Sequence, residues 1–199
     1  VDTVKRIGEV YGLHMLALED IVNTDHRVKL DEYDGAAFLI LKHLREDNGH
    51  TLHTDNISIV LMPHAVLSFS VHSQEVFGPI LARIEAANGR FRSRGADYLF
   101  YTLLDSVVDH YVAIIESFDD ELESLEDEIL LHPSRRSVHR LHALRHRILK
   151  VRKAALPLRE SIIQLSRNED GLITADVLLF IRDVLDHLSL VLESLEHDT

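Results

Sequence analysis

One stretch, residues 96–132, limits the fold more than any other: it reads as a single helix with no glycine or proline inside it. Leu99, Leu103, Val107, Tyr111, Ile114, Phe118, Leu122, Leu125 and Ile129 recur at steps of three or four, the period of one helix face. At 1.5 Å rise per residue the helix is roughly 55 Å long, more than one compact domain needs, so it has to bridge parts of a larger body. The same rod carries Asp105, Asp109, Glu116, Asp119, Asp120, Glu121, Glu123, Glu126, Asp127 and Glu128. Composition alone favours a solvated face that keeps the rod soluble; the other reading is a face that attracts cations.

Pro133 ends the rod, and Ser134 is placed to cap a second one. Residues 135–166 carry the opposite charge, with Arg135, Arg136, Arg140, Arg145, Arg147, Lys150, Arg152, Lys153 and Arg159. Pro157 should kink this second rod. Gly171 and Thr174 mark a break before a third helix, from about Ala175, with Val177, Phe180, Ile181, Val184, Leu188, Val191 and Leu192 on one side. An acidic rod joined by a short turn to a basic one should fold back as an antiparallel pair. Each exposed charge pair adds little, but complementary faces fix register.

The first half has a different texture. Residues 3–12 and 15–22 read as short helices, the first stopped by Gly12. After a polar loop, 36–45 reads as a strand, Asp47-Asn48-Gly49 as a hairpin turn and 57–61 as the returning strand. Pro63-His64 turns the chain into a third strand at 66–71, giving an antiparallel meander. A helix over about 75–87 and a basic connector over 88–95 follow. The chain therefore divides into an α/β part, residues 1–95, and a long helical part, residues 96–199. The expected fold class is an α/β/α sandwich with a mixed, largely antiparallel sheet, followed by long antiparallel stalk helices.

The 199 residues suffice for a real core. A net charge of −12 argues against nucleic acid, whose backbone needs Lys and Arg. The absence of cysteine excludes disulfides and thiolate metal sites. Nothing in this stretch resembles a signal peptide, and no uninterrupted run of ~18 apolar residues exists, so it is not expected to cross a bilayer. Both ends read as cut, since helical patterns run into each of them without a stop signal. No phosphate-binding glycine loop, Gly-x-Ser-x-Gly elbow or His-Glu-x-x-His pair is present, and no nucleophile or base accompanies Asp105 and Asp109, so the chain does not read as an enzyme. His139, His142 and His146 share one face of the second rod. That spacing presents imidazoles to zinc, but the surrounding arginines repel a cation and favour plain surface histidines.

Several weaker blocks acquire meaning together. Leu16-x-Leu18-Glu19-Asp20-Ile21-x-Asn23, Arg27-x-Lys29 and Tyr33 come first. Then follow Ala96-Asp97-Tyr98-Leu99-x-Tyr101-x-Leu103-x-Asp105-x-x-Val108-Asp109-x-Tyr111, Pro157-Leu158-Arg159-Glu160 and Arg182-Asp183-Val184-x-Asp186-His187. In order and spacing, over essentially the whole chain, these blocks resemble the cytoplasmic domain of the CorA family of divalent-cation channels. One departure is Met15, where many members place proline after the histidine; it should change how the small helix starts and not the ligands.

The resemblance implies an α/β/α domain whose stalk helices lead to two membrane helices, assembled as a homopentamer on the cytoplasmic face of the inner membrane. It implies Mg²⁺ bound between neighbouring cytoplasmic domains, holding the channel closed, with Co²⁺ or Zn²⁺ as alternative ions. By position, Asp20 of one subunit would face Asp183 of its neighbour, and Glu19 with Asp105 would form an adjoining site. The pore motif and membrane helices would lie beyond Thr199. A zinc-transporting relative of the same architecture and a soluble helical scaffold are the competing expectations.

Overall fold

The computed structural model describes residues 2–47, 51–71, 73–86, 93–132 and 134–197. Two short helices open it, α1 (Asp2–Tyr11) and α2 (Met15–Val22). Gly12 ends the first with φ 67°, a left-handed conformation that glycine adopts without a Cβ clash. His14 begins the second: its extended backbone and its Nδ1, which accepts from Leu16 N–H at 3.2 Å, make it the N-cap. Met15 is then a solvent-facing first helical residue.

Four strands follow: β1 (Lys29–Tyr33), β2 (Ala36–Glu46), β3 (Leu52–Met62) and β4 (Ala65–Ser70). They lie in the order β1-β2-β3-β4 and pair antiparallel at every step, so the expected mixed sheet contains no parallel pair among the described residues. Residues 29–33, read above as part of a polar loop, form the edge strand β1. Lys-Leu-Asp-Glu-Tyr turns one buried apolar residue, Leu30, to the core, too little to register as an alternating pattern. Its pairing is set by the two-residue Asp34-Gly35 turn, with Gly35 at φ 73°. The expected Asn48-Gly49 turn lies outside the described residues, though Glu46 pairs with Leu52 beside it.

Strand alternation sends side chains to two faces. Phe38, Ile40 and Val60 pack under α2 with Ala17, Leu13 and Ile21. Leu39, Leu41, Ile57, Ile59 and Leu61 face the other way, toward α3 (Ser73–Glu85), α4 (Ala96–Leu131) and α5 (Arg135–Ser166). Covering both faces explains why β2 reads as a continuous apolar run. The result is helix, sheet, helix. The larger core cluster continues from Leu39 and Ile59 through Leu104, Val107 and Tyr111 of α4 to Val151 and Leu158 of α5 and Ile181 and Leu188 of α6 (Ala175–His197). Tyr111, fully buried, donates its hydroxyl to the Lys42 carbonyl and so ties α4 to β2.

The rods pack as the charge pattern requires. Arg147 contacts Glu121 and Arg140 contacts Glu128, pairs whose numbers rise on one helix as they fall on the other, which makes α4 and α5 antiparallel. Arg159–Ser189 and Arg152–Glu196 contacts run α6 antiparallel to α5. Ser134 caps α5 by accepting from Ser137 N–H at 3.1 Å; Pro133 and most of the basic connector lie outside the described residues. Helix α5 continues through Pro157 without interruption. Its end is set by Asn168, at φ 52°, whose side-chain amide bonds both backbone groups of Ile173. Helix α4 does contain an 18-residue window apolar enough to cross a membrane by composition, with 44% of it buried within the chain. The buried part of it, including Leu104, Val107 and Tyr111, packs the shared core.

Candidate metal site

Helix spacing and helix packing bring three donors together. Asp105 and Asp109, four residues apart on α4, project from one face, and α6 lies alongside in the same direction, bringing His187 to them. One ligand atom from each of Asp105, Asp109 and His187 falls within 4.8 Å of the others. The group is a candidate cradle for a cation. His187 Nδ1 is buried without a hydrogen-bond partner.

Three contacts fix how α6 lies against α4. Asp97, itself buried, accepts from Thr174 N–H at 2.9 Å and Thr174 Oγ1–H at 2.7 Å, which pins the start of α6 to the first turn of α4. Phe180 stacks on Tyr101 at 5.1 Å and meets Tyr98 edge-on. The Tyr101 hydroxyl then donates to Asp105 Oδ2 at 3.1 Å, holding that carboxylate on the groove side. Burial is the main force raising the Asp105 pKa above the ordinary carboxylate value, and Asp109 and Asp183 add to it. The Tyr101 hydrogen bond and His187 act in the opposite sense. Burial, together with Asp105, pushes the Tyr101 phenol well up, so it remains a donor. A groove of about 370 Å³ continues from the cradle between α4 and α6, lined by Asp109, Glu116, Asp119, His187 and Leu190.

Of the residues singled out from the sequence, Asp105 lies in this cradle. Asp183 is on α6 one helical turn before His187, exposed and close enough to act electrostatically on Asp105. Glu19 and Asp20 occupy the last turn of α2, in the layer on the opposite face of the sheet. Glu19 is exposed. Asp20 is held by two basic groups, Lys29 Nζ at 2.6 Å and His26 Nε2 at 2.7 Å. A single chain therefore assembles the α4–α6 acids and keeps the α2 acids apart from them. His139, His142 and His146 lie exposed along α5, and His139 Nδ1 is 2.6 Å from the Arg135 carbonyl.

Sequence reasoning gave His187 no role. The signal was its place four residues after Asp183, which puts both on one helix face. That this face meets Asp105 and Asp109 depends on the parallel packing of α4 and α6.

The model of one family, CorA-like Mg²⁺ transporter protein, matches residues 2–198. The chain is 39% identical over 122 residues to the cobalt/magnesium transport protein CorA of Thermotoga maritima, covering 61% of this chain and 35% of that protein. It is 28% identical over 116 residues to the putative metal ion transporter YfjQ of Bacillus subtilis, covering 58% and 35%. The matched segments thus span about a third of these curated relatives. In fold it is similar to the complete CorA magnesium transporter of Methanocaldococcus jannaschii, with TM-score 0.84 at 18% identity over 98% of this chain and 61% of that one. The ZntB cytoplasmic domain of Vibrio parahaemolyticus matches with TM-score 0.75 at 11% identity, over 98% and 80%.

Proposed function

The chain belongs to the family of CorA-like Mg²⁺ transporter proteins, and from that membership we propose that it is the cytoplasmic regulatory domain of a magnesium channel, sensing Mg²⁺ between neighbouring subunits. In this reading the working assembly is a homopentamer on the cytoplasmic face of the inner membrane, and membrane helices beyond this chain form the pore. The chain takes part in transport and not in enzymatic catalysis.

The observation that carries the reading is the acidic α4–α6 face, where Asp105, Asp109 and His187 converge and Asp183 lies near. Mg²⁺ is a hard ion that keeps several waters and is usually held through one or two carboxylates. Millimolar affinity, worth about −4 kcal/mol, suits a reversible reader of cytosolic magnesium. Because Glu19 and Asp20 lie in a different layer from Asp105 and Asp183, an ion shared by both pairs needs a second copy of the chain. Such an ion binds the closed arrangement better than the open one and shifts the population by that difference. Without it that preference for the closed arrangement is lost.

Limited proteolysis tests this. Millimolar Mg²⁺ should slow cleavage of the chain, and Asp105→Asn or Asp183→Ala should remove most of that protection. Equal protection in wild type and both variants sinks the site. The imidazole of His187 supports a second reading, in which the favoured ion is Zn²⁺ or Co²⁺, since nitrogen donors suit those metals better than Mg²⁺. Protection by Zn²⁺ alone, lost in His187→Ala, would select it.

A further inference from the structure

The carboxylate of Asp20 is already engaged by two basic groups of its own chain. Its side chain is 13% exposed, and Lys29 and His26, from β1 and the loop before it, occupy separate oxygens: Lys29 Nζ lies 2.6 Å from Oδ2 and His26 Nε2 2.7 Å from Oδ1. Lys29 has a second partner, Asp31 Oδ2, also at 2.6 Å. These distances are those of charge-assisted hydrogen bonds.

A divalent ion coordinating Asp20 directly competes with these groups for the same two oxygens and meets the positive charge of Lys29 beside them. An ammonium ion is a single positive charge on a flexible four-carbon stem, whereas Mg²⁺ brings two charges to ~2.1 Å. We propose that Lys29 is a tethered monovalent competitor for the divalent ion at Asp20: it holds the carboxylate in the metal-free chain and transfers wholly to Asp31 when the ion arrives. Asp31 gives the displaced ammonium a partner within reach, so the exchange leaves no stranded charge. The consequence is a built-in weakening of the site, tuned by a residue that never touches the metal. This inference rests on the reading of Asp20 as a cation ligand.

The two substitutions flanking the exchange act in opposite directions. Lys29→Met keeps the length and apolar stem and removes the competing charge, so calorimetric titration of the full chain with Mg²⁺ should give about 3- to 10-fold tighter binding. Lys29→Arg, which retains the charge, should stay within about twofold of wild type. Asp31→Asn removes the alternative partner, leaves Lys29 on Asp20 and should weaken binding. In the Lys29→Met background the same Asp31→Asn change should have a much smaller effect, a coupling that general loss of negative charge does not produce. Thermal melts of each variant identify any that fail to fold, and Lys29→Gln then replaces Lys29→Met. Unchanged or weaker binding in a folded Lys29→Met or Lys29→Gln chain, with the response still abolished by Asp20→Asn, overturns the competitor role and leaves the sensor reading standing. An Mg²⁺ isotherm unaffected by Asp20→Asn overturns both.

Discussion

At Asp105, burial and the neighbouring Asp109 act in the same direction, each making the charged carboxylate less stable than it is in water. The folded-state pKa is raised, so the penalty is present at pH values above it and fades as the pH falls through it. A bound cation removes the same penalty at neutral pH. Asp105→Asn should therefore raise the stability of the metal-free chain while removing most of the Mg²⁺ protection. The site is half exposed to water, which screens the repulsion and limits the gain to about 1 kcal/mol or less. A thermal melt in chelator that shows Asp105→Asn less stable than wild type would mean that the Tyr101–Asp105 hydrogen bond outweighs the repulsion. Asp105 and Asp109 were readable as a facing pair because the period of a helix is fixed. Lys29 on Asp20 was not readable, because the loop between α2 and β1 has no period.

At the scale of elements, Arg147 joins three of them. It is 5% exposed, bonds Glu121 of α4 and Glu46 of β2 at 2.5 Å each, and lies 4.5 Å above the Phe118 ring. Arg147→Met should cost about 3 kcal/mol, the lower end for breaking a buried ion pair, because both glutamates keep some water contact. For a chain of this size that corresponds to a fall in melting temperature on the order of 10 °C. A shift under about 2 °C would mean that the pair does no more than a surface bridge. The charge runs alone indicated that α4 and α5 pair antiparallel. They did not select Arg147 among so many arginines on α5; the hydrophobic pattern around Leu144, Ile148 and Val151 turns that one inward. Strand β1 was invisible for the converse reason, since its pairing with β2 gives it shape and its own residues give little pattern.

For the molecule as a whole, one apolar cluster runs from the sheet through α4 and α5 to α6. The expected parts, 1–95 and 96–199, meet across that cluster: Leu39 and Ile59 share it with Leu104 and Val151. A continuous core of this kind should unfold in one cooperative transition, with far-UV circular dichroism and tyrosine fluorescence changing together. Two separated transitions would instead identify residues 1–95 and 96–199 as independently stable units. In the proposed sensing role, a shift of α6 at Asp183 or His187 would reach the sheet through this cluster of packed side chains, which do not deform gradually.

Periodicity and charge determined much of this protein from the sequence: the lengths of the helices, the meander of β2 to β4, the antiparallel acidic and basic rods, and the face carrying Asp105 and Asp109. All of these follow from interactions within a few residues or from a pattern repeated along one element. The tertiary structure alone decided that α6 runs parallel to α4 and brings His187 to those acids, that the sheet separates Glu19 and Asp20 from them, and that Lys29 holds Asp20. Those outcomes depend on the latch between Asp97 and Thr174, the stack of Tyr101 on Phe180 and the turn at Gly35. Such contacts set the relative placement of elements, and no element's own sequence records where its neighbour will lie.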